Sequence, residues 1–229
     1  MTLEKLNIHP LSGYTLIERE SQPEEDNSVT TRLKRLEEQN DESGVRRSVE
    51  AIMLVSVHDF PHILVLQVAN AFYKLPGGYI DPIETDASGL ITRLNEQLGV
   101  PFTPSATHSA RYTDIKGITT QVNGETKLAS SGGTDGPLWI SPASGDWKCG
   151  DLLCTWYRPN YDTFLYPYVP AHISQPKECK KLYIVELPPN KTFAVPVNMK
   201  LHAIPVYEFY DNAARYGPQF AGIPYVLSK

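Results

Sequence analysis

The sequence predicts an α/β fold, and two features of the chain carry that prediction. Residues 46–57 and 62–68 are rich in β-branched and apolar side chains and are separated by a short connection, which is typical of neighbouring central strands. After them come a loop with two prolines and two glycines, residues 74–84, and a helical pattern over residues 84–98. This order of strand, glycine-rich loop and helix indicates an α/β architecture.

Residues 1–45 are predicted to form an N-terminal arm followed by one amphipathic helix. Asn27 or Ser28 can cap this helix and Gly44 is placed to end it, with apolar side chains between them at i, i+4 and i+7. These apolar residues are Val29, Leu33 and Leu36. The acidic, proline-containing arm is expected to pack on the outside of the domain.

Residues 46–229 are predicted to form the main domain, with an insertion at residues 101–147. The insertion is rich in Ser, Thr, Gly and Pro, so we expect a loop with a hairpin in it. Beyond the insertion, the patterns predict strands at 151–159 and 180–187 with a proline-rich surface tract between them, and then short helical segments near the C-terminus.

Composition and charge exclude several classes of protein. The formal net charge of -5, from 21 Lys and Arg against 26 Asp and Glu, argues against a surface that binds nucleic acid through general phosphate neutralisation. Three cysteines without metal-ligand spacing indicate reduced thiols. The chain also shows no secretory-signal pattern and no run of about eighteen apolar residues, so a soluble protein of the cytosol or nucleus is expected, without a membrane partner.

One spaced motif bears on chemistry. Gly78, Glu84 and the helical segment after them match the frame of the Nudix box, in which three helical carboxylates at i, i+3 and i+4 hold Mg²⁺ against a pyrophosphate. Here those three positions are Arg93, Glu96 and Gln97, which changes the formal charge of the face from about -3 to 0. Arg93 is also spaced to pair with Glu96. We therefore predict no catalytic residues, no bound metal and no cofactor.

On both sides of this box lie the segments RRSVEA, PHILVLQVANAFYKLPGG, WYRPNYDTFLYPYVPAHISQPKECKKLYIVEL, TFAVPVNMKL and YDNAARYGP. Together they resemble the small, Nudix-fold subunit of the pre-mRNA 3′-end cleavage factor Im. The resemblance covers nearly the whole chain except residues 101–147. It implies an α/β/α Nudix sandwich with a mixed central sheet, a nuclear homodimer without hydrolase activity, and binding of single-stranded UGUA elements that regulates poly(A) site choice.

The resemblance implies an aromatic pocket for the RNA bases. Phe72 matches the family's base-stacking phenylalanine, and Tyr73 and Leu75 match neighbouring positions that line the same pocket, with a tyrosine at 73 in place of the usual phenylalanine. Composition alone favours a different interpretation, in which Phe72 and Tyr73 pack inward as core aromatics.

The resemblance also assigns base-reading roles to polar residues. Glu50 matches a residue that accepts hydrogen bonds from a base, and Arg32 on the first helix matches an arginine that contacts the RNA. Residue chemistry alone allows Glu50 to be a surface ion-pair partner of Arg46 or Arg47, and Arg32 to be one charge on a solvated helix face.

Three further residues complete the implied RNA site. Glu24 in the acidic arm matches another base-reading glutamate, in a register uncertain by about one residue. Tyr216 and Gly217 match a pair that closes the pocket, where glycine permits close approach of a nucleotide. On the sequence alone, this last pair is equally a simple turn.

Tyr166 and Tyr168 are spaced so that an extended chain points both rings the same way, which predicts an exposed aromatic platform. In the family this tract docks the RNA-recognition domain of the larger subunit, and poly(A) polymerase is a further implied partner. The basic run Lys177, Lys180 and Lys181 is expected to be a solvated face.

Three functions remain open on the sequence. The leading hypothesis is a non-catalytic RNA-binding subunit. The second is an active Nudix hydrolase of nucleoside diphosphate derivatives or diadenosine polyphosphates, since Glu84 and Glu96 are in frame. The third is a protein scaffold that acts through the Tyr166–Tyr168 tract.

Overall fold

A computed structural model describes residues 6–23, 26, 28–70, 72–100, 119–122, 125–128 and 147–229. In chain order the strands are β1 (His9–Pro10), β2 (Tyr14–Arg19), β3 (Arg46–Val57), β4 (Phe60–Val68), β5 (Phe72–Lys74), β6 (Gly77–Ile80), β7 (Thr119–Val122), β8 (Glu125–Leu128), β9 (Lys148–Arg158), β10 (Glu178–Glu186), β11 (Lys191–Pro196) and β12 (Met199–Pro205). The helices are α1 (Val29–Ser43), α2 (Asp86–Leu98), α3 (Ala213–Tyr216), α4 (Pro218–Ala221) and α5 (Ile223–Leu227). None of these helices is long and apolar enough to cross a membrane.

The central sheet is mixed, as the resemblance implies. Its strands lie in the order β12-β4-β3-β10-β9, with β1 and β6 paired to β3 and β5 paired to β4. β3 runs antiparallel to β4 and parallel to β10. His58 and Asp59, with φ of 50° and 65°, form the tight turn between β3 and β4, so the predicted pair of central strands is confirmed and the second one begins at Phe60.

The two faces of the sheet carry separate layers of helix. Alternate residues of β3 point to opposite faces because side chains along a strand have a period of two. Val49 and Met53 pack with Leu94 of α2, whereas Ile52 packs with Phe209 and the C-terminal helices. The result is the α/β/α arrangement that the resemblance implies.

Local signals set the ends of both long helices. The Ser28 hydroxyl oxygen accepts a hydrogen bond from the Thr31 N–H at 3.1 Å, and Gly44 ends α1 with φ of 76°. α2 begins two residues later than predicted, because Thr85 is its N-cap. None of the fifteen residues of α1, all of them described, is buried, so its predicted apolar stripe does not enter the core; Val29 is 75 % exposed.

Among the described residues of the N-terminal arm, Tyr14 is buried in the core, and Leu6 and Leu11 pack against it partly buried. β2 pairs in parallel with β11, and Tyr14 at its start is buried and stacks on Phe193 at 5.6 Å between ring centroids. β11 and β12 are not predicted by the sequence patterns because each strand is short and ends at a proline, Pro196 or Pro205. The hairpin expected within the insertion is present as β7 and β8; the rest of residues 101–146 lies outside the described part of the chain.

Candidate functional site

Arg93 on the Nudix-box helix α2 forms ion pairs with two acidic residues. On α2, Nη1 of Arg93 lies 2.6 Å from Oε2 of Glu96, which confirms the predicted i,i+3 pair. Nη2 of Arg93 lies 3.9 Å from Oε2 of Glu84. The guanidinium therefore lies between the two remaining acids of the box, and within the described residues no group of three His, Cys, Asp or Glu side chains is placed to hold a metal ion.

Gln97, the second of the two altered carboxylate positions, holds the glycine-rich loop in place. Its side chain is buried, accepts a hydrogen bond from the Gly77 N–H at 2.9 Å and donates one to the Gly77 carbonyl oxygen at 2.5 Å. Gly77 has φ of 138°, and a Cβ there would lie 2.2 Å from the Val49 carbonyl oxygen. The amide thus fastens the glycine-rich loop to the helix, a role that a carboxylate cannot fill because it has no proton to donate.

Phe72 and Tyr73 occupy different environments on the short strand β5. Phe72 is 56 % exposed, so the alternative in which it packs in the core is wrong. Tyr73 is half-buried, with its ring 5.0 Å from that of Tyr216 and 6.2 Å from that of His202. Leu75 is 2 % exposed, so its side chain lies in the core beneath this surface and does not line an open pocket.

Glu50 is the centre of a buried polar cluster. Its Oε1 accepts a hydrogen bond from Lys180 Nζ at 2.6 Å, and its Oε2 accepts one from the Gln219 amide. Lys74 lies nearby: burial lowers its pKa, the Glu50 charge opposes that shift, and Lys180 adds to it. Lys74 and Gln219 are site residues that the sequence analysis missed. They lie on β5 and α4, which only the fold brings close to Glu50 on β3.

The partners expected for Glu50 lie elsewhere, so that alternative is wrong. Nη2 of Arg47 pairs with Oδ1 of Asp86 at 2.5 Å, and the Arg46 guanidinium lies 5.0 Å from the Tyr79 ring centroid. Asp86 also accepts hydrogen bonds from Lys181 and from a tyrosine hydroxyl. Although burial opposes it, these donors lower the pKa of Asp86 to about 2.

The prediction that the three lysines of the basic run form a solvated face is also wrong, because each of them bonds to another side chain. Lys180 pairs with Glu50, Lys181 Nζ lies 2.6 Å from Asp86 Oδ2, and Lys177 Nζ donates to Asn40 Oδ1 at 2.7 Å. These bonds connect β10 to its neighbours, so the basic run contributes to the structure of the sheet.

Tyr216 and Gly217 link the C-terminal helices to the aromatic pair. The Tyr216 ring is buried against Phe209 and Phe220, and its hydroxyl donates to Glu208 Oε1 at 2.5 Å. Burial, followed by this hydrogen bond, raises the pKa of Tyr216. Gly217 has φ of 91° and open space where a Cβ would stand, so the backbone conformation is what requires glycine there.

The remaining candidate residues lie at other places on the surface. Arg32 is exposed on α1 and borders a cleft against the start of β3. Tyr168 is 58 % exposed, and its ring centroid lies 5.8 Å from that of the half-buried Tyr166. Phe164, 64 % exposed, precedes them in the same tract, so the expected aromatic platform is exposed. Glu24 lies outside the described residues.

Glu178→Gln is expected to lower the free energy of unfolding by roughly 3 kcal/mol at pH 7. Burial opposes the shift, but Lys180, Arg158 and Ser48 together lower the pKa of Glu178 to about 2. Because this pKa lies below that of the unfolded chain, the stabilisation is complete above the unfolded value of 4.5 and is lost as the pH falls towards 2. Urea unfolding at a series of acidic pH values measures the difference.

Glu186→Gln on the same strand is the matched control. Its ion pair is with Lys148, whose side chain is 73 % exposed, so we expect a change below about 1 kcal/mol. If wild type and Glu178→Gln lose stability in parallel between pH 5 and pH 2, the assignment of this acid-sensitive term to Glu178 is wrong.

Comparison with known proteins gives relatives over the full length of the chain. A family model described as Nucleotide hydrolase matches residues 4–229. The chain is 41 % identical over 224 residues to "Pre-mRNA cleavage factor Im 25 kDa subunit 2" of Arabidopsis thaliana, covering 98 % of this chain and 93 % of that one. It is 34 % identical to "Cleavage and polyadenylation specificity factor subunit 5" of Dictyostelium discoideum, covering 100 % and 96 %. A solved Ap4A hydrolase of C. elegans matches at 11 % identity with a TM-score of 0.42, over 80 % of this chain and 96 % of that one.

Proposed function

Because this chain belongs to the Nudix-fold family of cleavage factor Im 25 kDa subunits, we propose that it is a non-catalytic, RNA-binding subunit of the machinery that cleaves and polyadenylates pre-mRNA. In this proposal it acts in the nucleus as a homodimer and recognises single-stranded UGUA elements, which regulates poly(A) site choice. Its protein partners are the larger, RNA-recognition-domain subunit of the factor and poly(A) polymerase.

The observation that carries the RNA-binding proposal is the exposed ring of Phe72. A large aromatic side chain that is 56 % exposed on a strand is a platform on which an unpaired base can stack. Tyr73, the next residue of β5, has its ring 5.0 Å from that of Tyr216, and Gln219, three residues after Tyr216, donates to Glu50. Glu50 uses one hydrogen bond at each oxygen, so its carboxylate retains lone pairs for the amino or imino edge of a base.

The cluster around Arg93 supports the absence of catalysis. A guanidinium at 2.6 Å from one box acid and 3.9 Å from the other occupies the space in which Mg²⁺ would need oxygen ligands. Gln97 is committed to Gly77. The competing function, a Nudix hydrolase, is favoured only by Glu84 and Glu96; Mg²⁺-dependent release of phosphate products from a nucleoside diphosphate derivative, abolished by Glu96→Ala, would establish it.

The exposed aromatic residues of the tract between β9 and β10 support a protein partner. Phe164 and Tyr168 are more than half exposed, with the aliphatic Val169 beside them, and backbone hydrogen bonds between Tyr157 and Tyr166, at 2.7 and 2.9 Å, fix the tract against the sheet edge. A preformed aromatic surface of this kind is typical of protein interfaces, because it offers a large contact area at low entropic cost. We assign it to the larger subunit.

Phe72→Ala is expected to weaken binding of a UGUA-containing RNA by about 5- to 150-fold, the loss of one stacked base. Fluorescence anisotropy with UGUA and with single-base variants measures the affinity. The free energy of unfolding should change by less than about 0.5 kcal/mol, since the ring is exposed. Binding of the larger subunit should be unaffected.

Phe60→Ala is the matched control for this experiment. Phe60 is a 61 % exposed phenylalanine at the opposite end of β4, about 26 Å along the strand from the residue that pairs with Phe72. Its removal should leave RNA affinity unchanged. If wild type shows no preference for UGUA, or if both variants bind as wild type does, the chain is better described as a protein scaffold.

A further inference from the structure

A cationic cleft lies where α1 covers the starts of β3 and β10 and the end of β9. The charged and aromatic residues that line it are Arg32, Arg46, Arg158, Lys177, Glu178 and Tyr161. Four cations and one carboxylate give these lining residues a formal charge of +3 in a chain of net charge -5. The lining of the cleft is therefore positive although the whole protein is acidic.

Within the described part of the chain, three of these four cations have no carboxylate at ion-pair distance. Arg158 pairs with Glu178 at 2.8 Å, but Lys177 donates to the neutral side chain of Asn40. Arg46 lies over an aromatic ring, and its buried Nε has no hydrogen-bond partner. Arg32 is exposed and makes no ion pair with a described residue. Three cations thus line one cleft with donors available for an anion.

Asp26, an acidic residue near the cleft, is already paired with an arginine. Asp26 is held by two hydrogen bonds from Arg35, at 2.9 and 2.6 Å. Arg35 lowers the pKa of Asp26, with smaller contributions from Arg32 and Arg46, so the carboxylate is ionised and shares its charge among them. Among the described residues, Asp26 and Glu178 are thus both paired with arginines, and Arg32, Arg46 and Lys177 keep the cleft positive.

We infer that the cationic cleft binds a backbone phosphate of the RNA whose base stacks on Phe72, an inference that rests on the proposed function. Arg46 and Glu50 point to the same face of β3, four residues apart, which places them about 13 Å from each other along the strand. A short single strand that leaves the base site along this face reaches Arg46. Guanidinium and ammonium groups bind phosphate through charge-assisted hydrogen bonds.

In this arrangement the base site at Phe72 and Glu50 and the cationic cleft have different roles. Phosphate contacts fix the position and direction of a strand, whereas base contacts supply sequence information. A single local phosphate site also accounts for RNA binding by an acidic protein, since it needs no general positive field. The Tyr161 ring, 5.4 Å from Lys177 Nζ, gives the nucleotide at the cleft an aromatic surface.

The test compares the salt dependence of RNA affinity in single variants. Wild type, Arg32→Gln, Arg46→Gln and Lys177→Gln are titrated with a UGUA-containing RNA at several salt concentrations. Each variant should lower the slope of log K against log [salt] by up to about 0.7, the value for one single-strand phosphate. In Arg46→Gln and Lys177→Gln, the ratio of affinities for UGUA and for a single-base variant should remain as in wild type.

Lys34→Gln is the matched control, since Lys34 lies on α1 with a 78 % exposed side chain and pairs only weakly with Glu38 at 3.9 Å. It should leave the slope unchanged. An RNA scan then replaces one phosphate at a time by an uncharged methylphosphonate. One position should weaken binding to wild type and have no effect on Lys177→Gln, which identifies the phosphate in the cleft.

The outcomes separate this inference from the proposed function. A wild-type protein with no preference for UGUA overturns both. A wild-type preference for UGUA with identical slopes in all variants, or a methylphosphonate scan without a sensitive position, overturns the cleft assignment alone. Arg32→Gln keeps the test decisive if a buried variant fails to fold, because Arg32 is exposed. If inorganic phosphate stabilises the wild-type protein against urea unfolding while no RNA position is sensitive, the cleft binds a free anion and the RNA-phosphate assignment is overturned.

Discussion

Gln97→Glu, which restores a carboxylate of the Nudix box, is expected to destabilise the protein by about 3–5 kcal/mol and to produce no hydrolase activity. The Gln97 amide nitrogen lies 2.5 Å from the Gly77 carbonyl oxygen, where a carboxylate oxygen would meet an acceptor without a proton between them. The position is buried, so water cannot solvate the charge. Urea unfolding and a Mg²⁺-dependent phosphate-release assay measure the two effects.

The stability of Gln97→Glu should depend on pH in the direction opposite to that expected for Glu178. The introduced carboxyl has a pKa raised by burial and by the Gly77 carbonyl, so the folded state binds the proton more tightly than the unfolded state does. Stability relative to wild type is therefore lowest at neutral pH and recovers as the pH falls, when the protonated group can donate to Gly77. Gln22→Glu on the exposed surface makes the same chemical change and should have little effect at any pH. A stable, Mg²⁺-responsive Gln97→Glu protein would show that the box retains a metal site.

Interactions within one element could be predicted from the sequence. The Arg93–Glu96 pair is three residues apart on one helix, and the Ser28 cap and Gly44 stop depend on neighbouring residues alone. Helical periodicity and capping chemistry determine such contacts without any knowledge of the fold. The central strands and α2 were predicted for the same reason.

Interactions between distant elements could not be predicted in this way. Glu50 bonds to residues 130 and 169 positions away, Lys180 and Gln219, which meet it only because β10 lies beside β3 and α4 packs over the sheet. The burial of Leu75 and the exposure of Phe72 likewise depend on how the corner between β5 and β6 turns. A charged residue inside an apolar strand was the one available signal of a buried polar cluster at Glu50.

Glu50→Ala should lower the free energy of unfolding by about 3–5 kcal/mol, because it leaves the Lys180 ammonium buried without its counter-charge. The Lys180 side chain is 14 % exposed and that of Glu50 11 %, so neither group can turn to solvent. Lys180→Met removes the stranded cation, and the double variant Glu50→Ala, Lys180→Met should be markedly more stable than Glu50→Ala alone. Additive losses in this double-mutant cycle would contradict the assignment of the cost to the ion pair.

The same cycle separates the two roles of Glu50 in RNA binding. A carboxylate that reads a base makes its contact directly, so UGUA preference should be lost in the Glu50 variant and in the double variant, and retained in Lys180→Met. If Glu50 only holds β3, β10 and α4 in place, the double variant should recover both stability and RNA preference. Because stability and recognition are measured on the same four proteins, a loss of binding that follows unfolding is distinguished from a loss of the base contact itself. We expect recognition to depend on Glu50 alone, since its lone pairs left free by Lys180 and Gln219 are the acceptors that a base edge requires.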